Sequence, residues 1–188
     1  MLAARRPIAL TVFPDTIVWK AGLVLAGSLL IALAAQVAFP LPWSPVPVTG
    51  QTFAILLVGA SLGSRLGLAA VVAYLIEGAL GLPVFAPGGA LGLARFTGPT
   101  AGYLVGFALA AFAVGWLAER GWDRRFGRAA VAMLAGEAVL YACGLLWLAR
   151  FVPGERLLGA GLFPFIPGDL FKVALAALLL PAARRIVR

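Results

Sequence analysis

Histidine is absent from this chain of 188 residues, and cysteine occurs once, as Cys143. The first absence removes the usual imidazole general base and any His-ligated metal; the second removes an intrachain disulfide or a cysteine cluster. Cys143 lies in an apolar segment and reads as a small core residue. Acidic side chains are scarce too, 7 against 15 Lys and Arg, for a formal charge of +8. Those basic residues fall in short clusters between apolar segments, the pattern of membrane topology signals rather than of a nucleic-acid-binding face. No Gly-x-x-x-x-Gly-Lys-Ser/Thr loop occurs, so the chain does not hydrolyse ATP by that route. Abundant instead is hydrophobicity, at 63% of residues with a mean hydropathy of +1.04. That composition and length fit one transmembrane domain over 1–188, an all-α bundle of six spans. Residues 1–18 carry Arg5 and Arg6 but no long apolar run before Pro14 and Asp15, and read as a cytoplasmic or interfacial lead-in.

The first span is expected at about Trp19 to Phe39. Its small residues recur four apart, with Ala26, Ser28 and Ala32 among them, and suit either packing within the chain or docking of a separate membrane partner. A stiff, irregular loop with prolines at 40, 42, 45 and 47 comes next, and Gln51 and Thr52 open the second helix, which Thr49 or Thr52 is placed to cap. A short second span (about 52 to 63) turns at LGSRLG into a third (about 66 to 82) carrying Tyr74 and Glu77. A Gly–Pro loop whose single charge is Arg95 leads to the fourth span, about 99 to 118. There a stripe of Gly98, Gly102, Gly106 and Ala110 signals close helix packing. On the fifth span, about 129 to 149, Glu137 and Tyr141 stand four apart and so share a face.

The most informative stretch is the last, Gly161 to Arg185. Apolar residues are broken by Pro164, Pro167 and Gly168, and the helix beyond them opens on Asp169 and Lys172. With Arg184 and Arg185 at the membrane boundary, Asp169 lies roughly 23 Å and Lys172 roughly 18 Å from them, inside a hydrocarbon core of about 30 Å. Ionisable residues at that depth are costly and mark function, and broken backbone there must be buried or line a wet cavity. The remaining charges set direction. Arg5, Arg6, Lys20, Arg65, Arg120, Arg124, Arg125, Arg128, Arg184, Arg185 and Arg188 fall on one side of a six-span chain; Arg95, Arg150 and Arg156 fall on the other. That is 11 against 3, which places both termini in the cytoplasm and the pocket outward.

The blocks PVPVTGQTFAILLVGASLG, YLIEGALGLPVFAPGG, TGPTAGYLVGFALAAF, YACGLLWLA and GLFPFIPGDLFK occur here in that order. They resemble the BioY family, the biotin-binding S components of energy-coupling factor transporters, over about residues 20 to 185. The resemblance implies the six-helix S-component fold in the inner (cytoplasmic) membrane and capture of biotin from outside. It also implies a transmembrane T component and two ATP-binding-cassette ATPases as partners, biotin as transported ligand and no cofactor. In the family the Asp and Lys of the sixth helix contact the vitamin, matching Asp169 and Lys172. The polar residue, commonly Asn, that the family often carries after the third helix is replaced by the run from Ala86 to Gly89.

On this reading Asp169 accepts from a ureido N–H, since an ionised carboxylate can only accept; its alternative role is to cap the sixth helix. Lys172 offsets the charge of Asp169 or of the ligand's carboxylate, or else snorkels beside Asp169. Arg95 either clamps the carboxylate tail from the loop or stands in solvent. Tyr141 and Glu137 are candidates for the pocket wall, with Glu137 alternatively a buried hydrogen-bonding residue. Phe85, Trp147 and Phe165 are candidates to flank the ring system or to pack in the core, and Gln51 and Glu77 are further polar candidates. No catalytic or metal-ligating residue is assigned. An S component or standalone carrier for another vitamin is the alternative function. An intramembrane enzyme using Glu137 or Asp169 lacks an activated nucleophile.

Overall fold

The computed structural model describes residues 6–187, so Arg5 and Arg188 of the charge count lie outside the described residues. In chain order it has α1 (Ile8–Val12), α2 (Ile17–Gln36), strands β1 (Ala38–Leu41) and β2 (Ser44–Thr49), α3 (Gln51–Ala79), α4 (Ala101–Glu119), α5 (Phe126–Leu148), α6 (Gly154–Gly161) and α7 (Ile166–Ile186). Among the described residues, five segments are long and apolar enough to cross a membrane: α2, α3, α4, α5 and the stretch from Gly154 to Ile186. Leucines such as Leu25, Leu29, Leu33, Leu146 and Leu178 are widely exposed along them, as side chains facing hydrocarbon are.

The sixth pass comes from α3, which is two limbs rather than one rod. Gly63 has φ 83 and ψ 177, a conformation essentially reserved for glycine. Eight residues of straight helix would separate Gly59 from Gly67 by about 12 Å. Instead, a Cβ added to Gly67 would lie 2.8 Å from the Gly59 Cα, so the limbs 51–62 and 64–79 fold back on each other. The orphan N–H at the start of the second limb is met from α4: Glu119 Oε1 accepts from Ser64 N at 2.8 Å and from its Oγ at 3.0 Å. The six-pass expectation stands, with the turn made at Gly63 alone.

Close packing of α4 on α5 is the consequence of the glycine stripe. A Cβ on Gly102 would come 2.3 Å from that of Trp147. At one end of the bundle Arg184 is buried, its Nε 2.5 Å from Asp123 Oδ2 and its Nη2 donating to the Arg6 carbonyl at 2.9 Å. This contact draws both chain ends and the α4–α5 connection together. Arg184 is thereby spent on a buried ion pair.

The opposite end is built from the connections leaving α2, α3 and α5. The proline loop expected to be irregular is an antiparallel pair, with Ala38 opposite Thr49, Phe39 opposite Val48 and Leu41 opposite Ser44. Its prolines are tolerated because a two-stranded ribbon has free edges, and Pro40 falls where the register shifts. The expected last loop contains α6, and Ser44 Oγ donates to the Ala160 carbonyl at 2.6 Å, tying the ribbon to it. The last helix starts at Ile166, three residues before Asp169, with Pro167 in its first turn.

The small-residue face of α2 is divided. Ala26 is exposed, but Ser28 and Ala32 are buried, correcting their assignment to a docking face. A hydroxyl in hydrocarbon needs a partner; Ser28 Oγ finds Glu77 Oε2 at 2.6 Å inside the bundle. That bond also accounts for Glu77.

Candidate functional site

A hollow of about 570 Å³, counting its mouth, opens between β2, the start of α3, α4, α5 and the first turns of α7. Asp169, Lys172, Tyr141, Arg95, Phe85, Phe165 and Gln51 all line it. Glu137 and Trp147 do not. Beyond it lies a wider vestibule of about 870 Å³ between the prolines of the ribbon and the Gly–Pro loop, with Pro47, Arg95 and Thr100 shared by both chambers.

The polar floor is one hydrogen-bonded cluster. Asp169 and Lys172 are three apart on α7 and therefore share a face, with Nζ 2.9 Å from Oδ1. Lys172 also donates to the Thr49 carbonyl and to Thr52 Oγ1, each at 2.8 Å, so all three ammonium donors are used. Thr52 Oγ1 donates to Asp169 Oδ1 at 3.2 Å, and the Tyr141 hydroxyl donates to Oδ2. The first turn of α7 has no side-chain cap, so Asp169 is not spent on capping its own helix. A carboxylate has about four lone-pair sites. Three are taken, which leaves Asp169 able to accept one more donor from the hollow. Lys172 is half-buried, and all its donors end on acceptors of the floor rather than snorkelling to water.

A second polar unit adjoins this floor through Thr49. Gln51 Nε2 donates to Tyr74 at 2.5 Å, and its Oε1 accepts from Thr49 Oγ1 at 3.1 Å. Of the two threonines proposed as caps, Thr49 accepts from Gln51 N at 3.3 Å, whereas Thr52 serves the α7 cluster.

Arg95 is the buried cation of the mouth, 8% exposed. Its Nη2 donates to the Ala86 carbonyl at 3.1 Å and its guanidinium carbon lies 5.9 Å from the Phe85 ring centroid, but its Nε has no partner. Burial pushes its pKa down, and Tyr74 acts the other way. An anion at the mouth would relieve that cost. Of the neighbouring glycines, Gly89 is required by this side chain, since a Cβ there would sit 1.1 Å from Arg95 Nη1, whereas Gly88 is required by its own backbone, with φ 82.

Aromatic rings form two walls. Phe85 packs edge-on to Tyr74 at 5.4 Å and to Phe96 at 5.9 Å; Tyr141 stands 6.3 Å from Tyr103 and 6.4 Å from Phe165. Trp147 lies outside the hollow, its indole donating to the Gly98 carbonyl at 2.9 Å. Glu137 is buried with neither carboxyl oxygen hydrogen-bonded, so it acts neither as wall nor as hydrogen-bonding support. Among the described residues no group of three His, Cys, Asp or Glu is placed to hold a metal ion.

Thr52 and Tyr103 are the members that sequence reasoning overlooked. Tyr103 closes the GPTAGY block and donates to the Gly161 carbonyl at 2.8 Å, holding the α6–α7 junction against α4. The block's aromatic residue was the available signal; nothing local distinguishes Thr52 from a helix-opening threonine.

The arrangement has known counterparts. The BioY family model matches residues 10–188. The chain is 39% identical over 163 residues to the biotin transporter BioY of Rhizobium etli, covering 82% of this chain and 87% of that protein. It is 41% identical over 163 residues to the biotin transporter BioY of Thermotoga maritima, covering 85% and 90%. Its fold is similar to the crystal structure of the S-component for biotin from an ECF-type ABC transporter. The TM-score is 0.78 at 27% identity, covering 92% of this chain and 94% of the other.

Proposed function

Since the chain belongs to the BioY family, we propose that the hollow above Asp169 and Lys172 is where it captures biotin, as the substrate-binding subunit of a vitamin uptake transporter. The observation that carries this is the Asp169 cluster: a carboxylate held by Lys172, Thr52 and Tyr141 with acceptor capacity left over, at the base of an aromatic-walled hollow. Biotin offers a ureido ring with two N–H donors, an apolar sulfur ring and an anionic tail. The ureido N–H donates to Asp169, the ring system lies between Phe85 and the Tyr103–Tyr141–Phe165 wall, and the tail carboxylate meets Arg95. Lys172 has no donor left for the tail, so its task is to neutralise and orient Asp169.

The protein binds and releases without bond chemistry. Energy for uptake comes from a T component and two ATP-binding-cassette ATPases in the cytoplasmic membrane, and the 11-to-3 charge count sets both termini inside. Calorimetric titration of the purified protein with biotin, thiamin and riboflavin tests the reading. Saturable binding of biotin alone supports it; a preference for either other vitamin, or no biotin binding, overturns it.

A further inference from the structure

At the end of the bundle opposite the hollow, a groove of about 1030 Å³, counting the solvent it opens to, runs between α1, the start of α2 and the Gly63 turn of α3. Its floor is apolar, from Leu10, Leu62 and Leu66, and its rim is basic, from Arg6, Lys20 and Arg65. The acid in it, Glu119, is committed to Ser64 N and Oγ. Lys20 is paired with Asp15 at 2.5 Å, whereas neither Arg6 nor Arg65 has a carboxylate within ion-pair distance among the described residues. Two guanidinium groups therefore border a greasy trough without an ion pair of their own, and the one carboxylate among its lining residues is held by Ser64.

The depth of the groove is marked independently. Phe13 and Trp19 stack with centroids 5.1 Å apart, and both are partly exposed directly beside Lys20. The amphipathic Trp19 indole, unlike the apolar Phe13 ring it packs on, is of the kind that sits at headgroup level. A basic pocket between helices at that level matches an anionic headgroup above and an acyl chain below. A free anion would have no use for the leucine floor, and an acidic protein segment would have to displace lipid to reach it.

We propose that this groove is a binding site for an anionic phospholipid, with Arg6 and Arg65 holding the phosphate and Leu10, Leu62 and Leu66 receiving the chain. The site is separate from the biotin hollow and does not depend on what that hollow binds.

The test uses the purified full chain in neutral detergent, with retention of phosphatidylglycerol, phosphatidylcholine or inorganic phosphate followed by native mass spectrometry and thermal melts. Phosphatidylglycerol is expected to be retained and to raise the melting temperature, with phosphatidylcholine and phosphate far behind. Replacing Arg6→Gln or Arg65→Gln should weaken retention roughly 5-fold each and roughly 30-fold together. Biotin binding by the same variants reports that they fold; should the double variant fail, Arg65→Gln and Arg65→Lys carry the comparison. Equal retention of both lipids, or retention undiminished in the variants, overturns the proposal. So does inorganic phosphate at equal concentration displacing the lipid, or the variants losing only assembly with an acidic partner protein.

Discussion

Lys172 reaches Asp169 Oδ1 at 2.9 Å from one turn further along the same helix, and its other two donors end on the Thr49 carbonyl and Thr52 Oγ1. The ammonium is thus fully occupied before any ligand arrives, and the carboxylate is the partner with capacity to spare. Substituting Asp169→Asn leaves Lys172 as a half-buried cation without its counter-ion. Biotin affinity should fall roughly 30-fold or more, the scale of breaking a buried hydrogen-bonded charge pair, and the melting temperature should fall with it. Adding Lys172→Met to that background should restore much of the melting temperature but none of the binding, because an apolar replacement removes the stranded charge without returning the acceptor. Recovery of binding in the double variant would contradict the assignment of Asp169 as the ureido acceptor.

Arg95 makes a distinguishable contribution because it faces the mouth rather than the floor. Its unpartnered Nε and its single carbonyl partner leave the guanidinium short of an anion. Arg95→Ala should weaken biotin roughly 10-fold or more, in line with loss of a charge-assisted hydrogen bond, while barely changing the affinity for biotin methyl ester. Arg95→Lys should recover only part, since a point charge does not reproduce the fork. Equal losses for acid and ester, read by calorimetry, would show that Arg95 shapes the loop and does not touch the tail.

The floor was legible where charge interrupts hydrophobicity. Asp169 and Lys172 stand out within an apolar helix, and the proline-broken approach to them forecasts a hollow. Their partners were not legible. Thr52 and the Thr49 carbonyl meet α7 across 117 to 123 residues of chain, and a backbone carbonyl has no sequence signature at all. The six passes could be counted from hydropathy, yet the β1–β2 ribbon was hidden because prolines argue locally against a strand. Ser28 was misassigned for a related reason: small residues four apart mark a close-packing face, but not whether the neighbour is the same chain or another.

Glu137 shares a helix face with Tyr141 but has both carboxyl oxygens buried and unpartnered. Burying such a group costs about 1–3 kcal/mol, which an apolar side chain of similar shape would avoid. Glu137→Met should therefore melt no lower than the parent, and biotin affinity should stay within roughly 3-fold, below the loss of one ordinary hydrogen bond. A 10-fold loss of affinity in a variant that melts normally would place Glu137 within the binding site after all.

Gly63 carries the reversal on which the bundle depends, and nothing but glycine fits there. Its φ of 83 and ψ of 177 lie where other residues are strained, and a Cβ would come 2.6 Å from both Glu119 Oε1 and Pro7 Cγ. Strain of about 1–3 kcal/mol adds to that crowding, and the displaced Glu119 would release the Ser64 N–H it now satisfies. Gly63→Ala should lower the melting temperature by roughly 6–12 °C, taking about 3 kcal/mol in a chain of this size. Because Gln51 and Thr52 begin the first limb of this hairpin and line the hollow, biotin affinity should weaken as well. An alanine variant that melts with the parent would mean that α3 runs straight through this position.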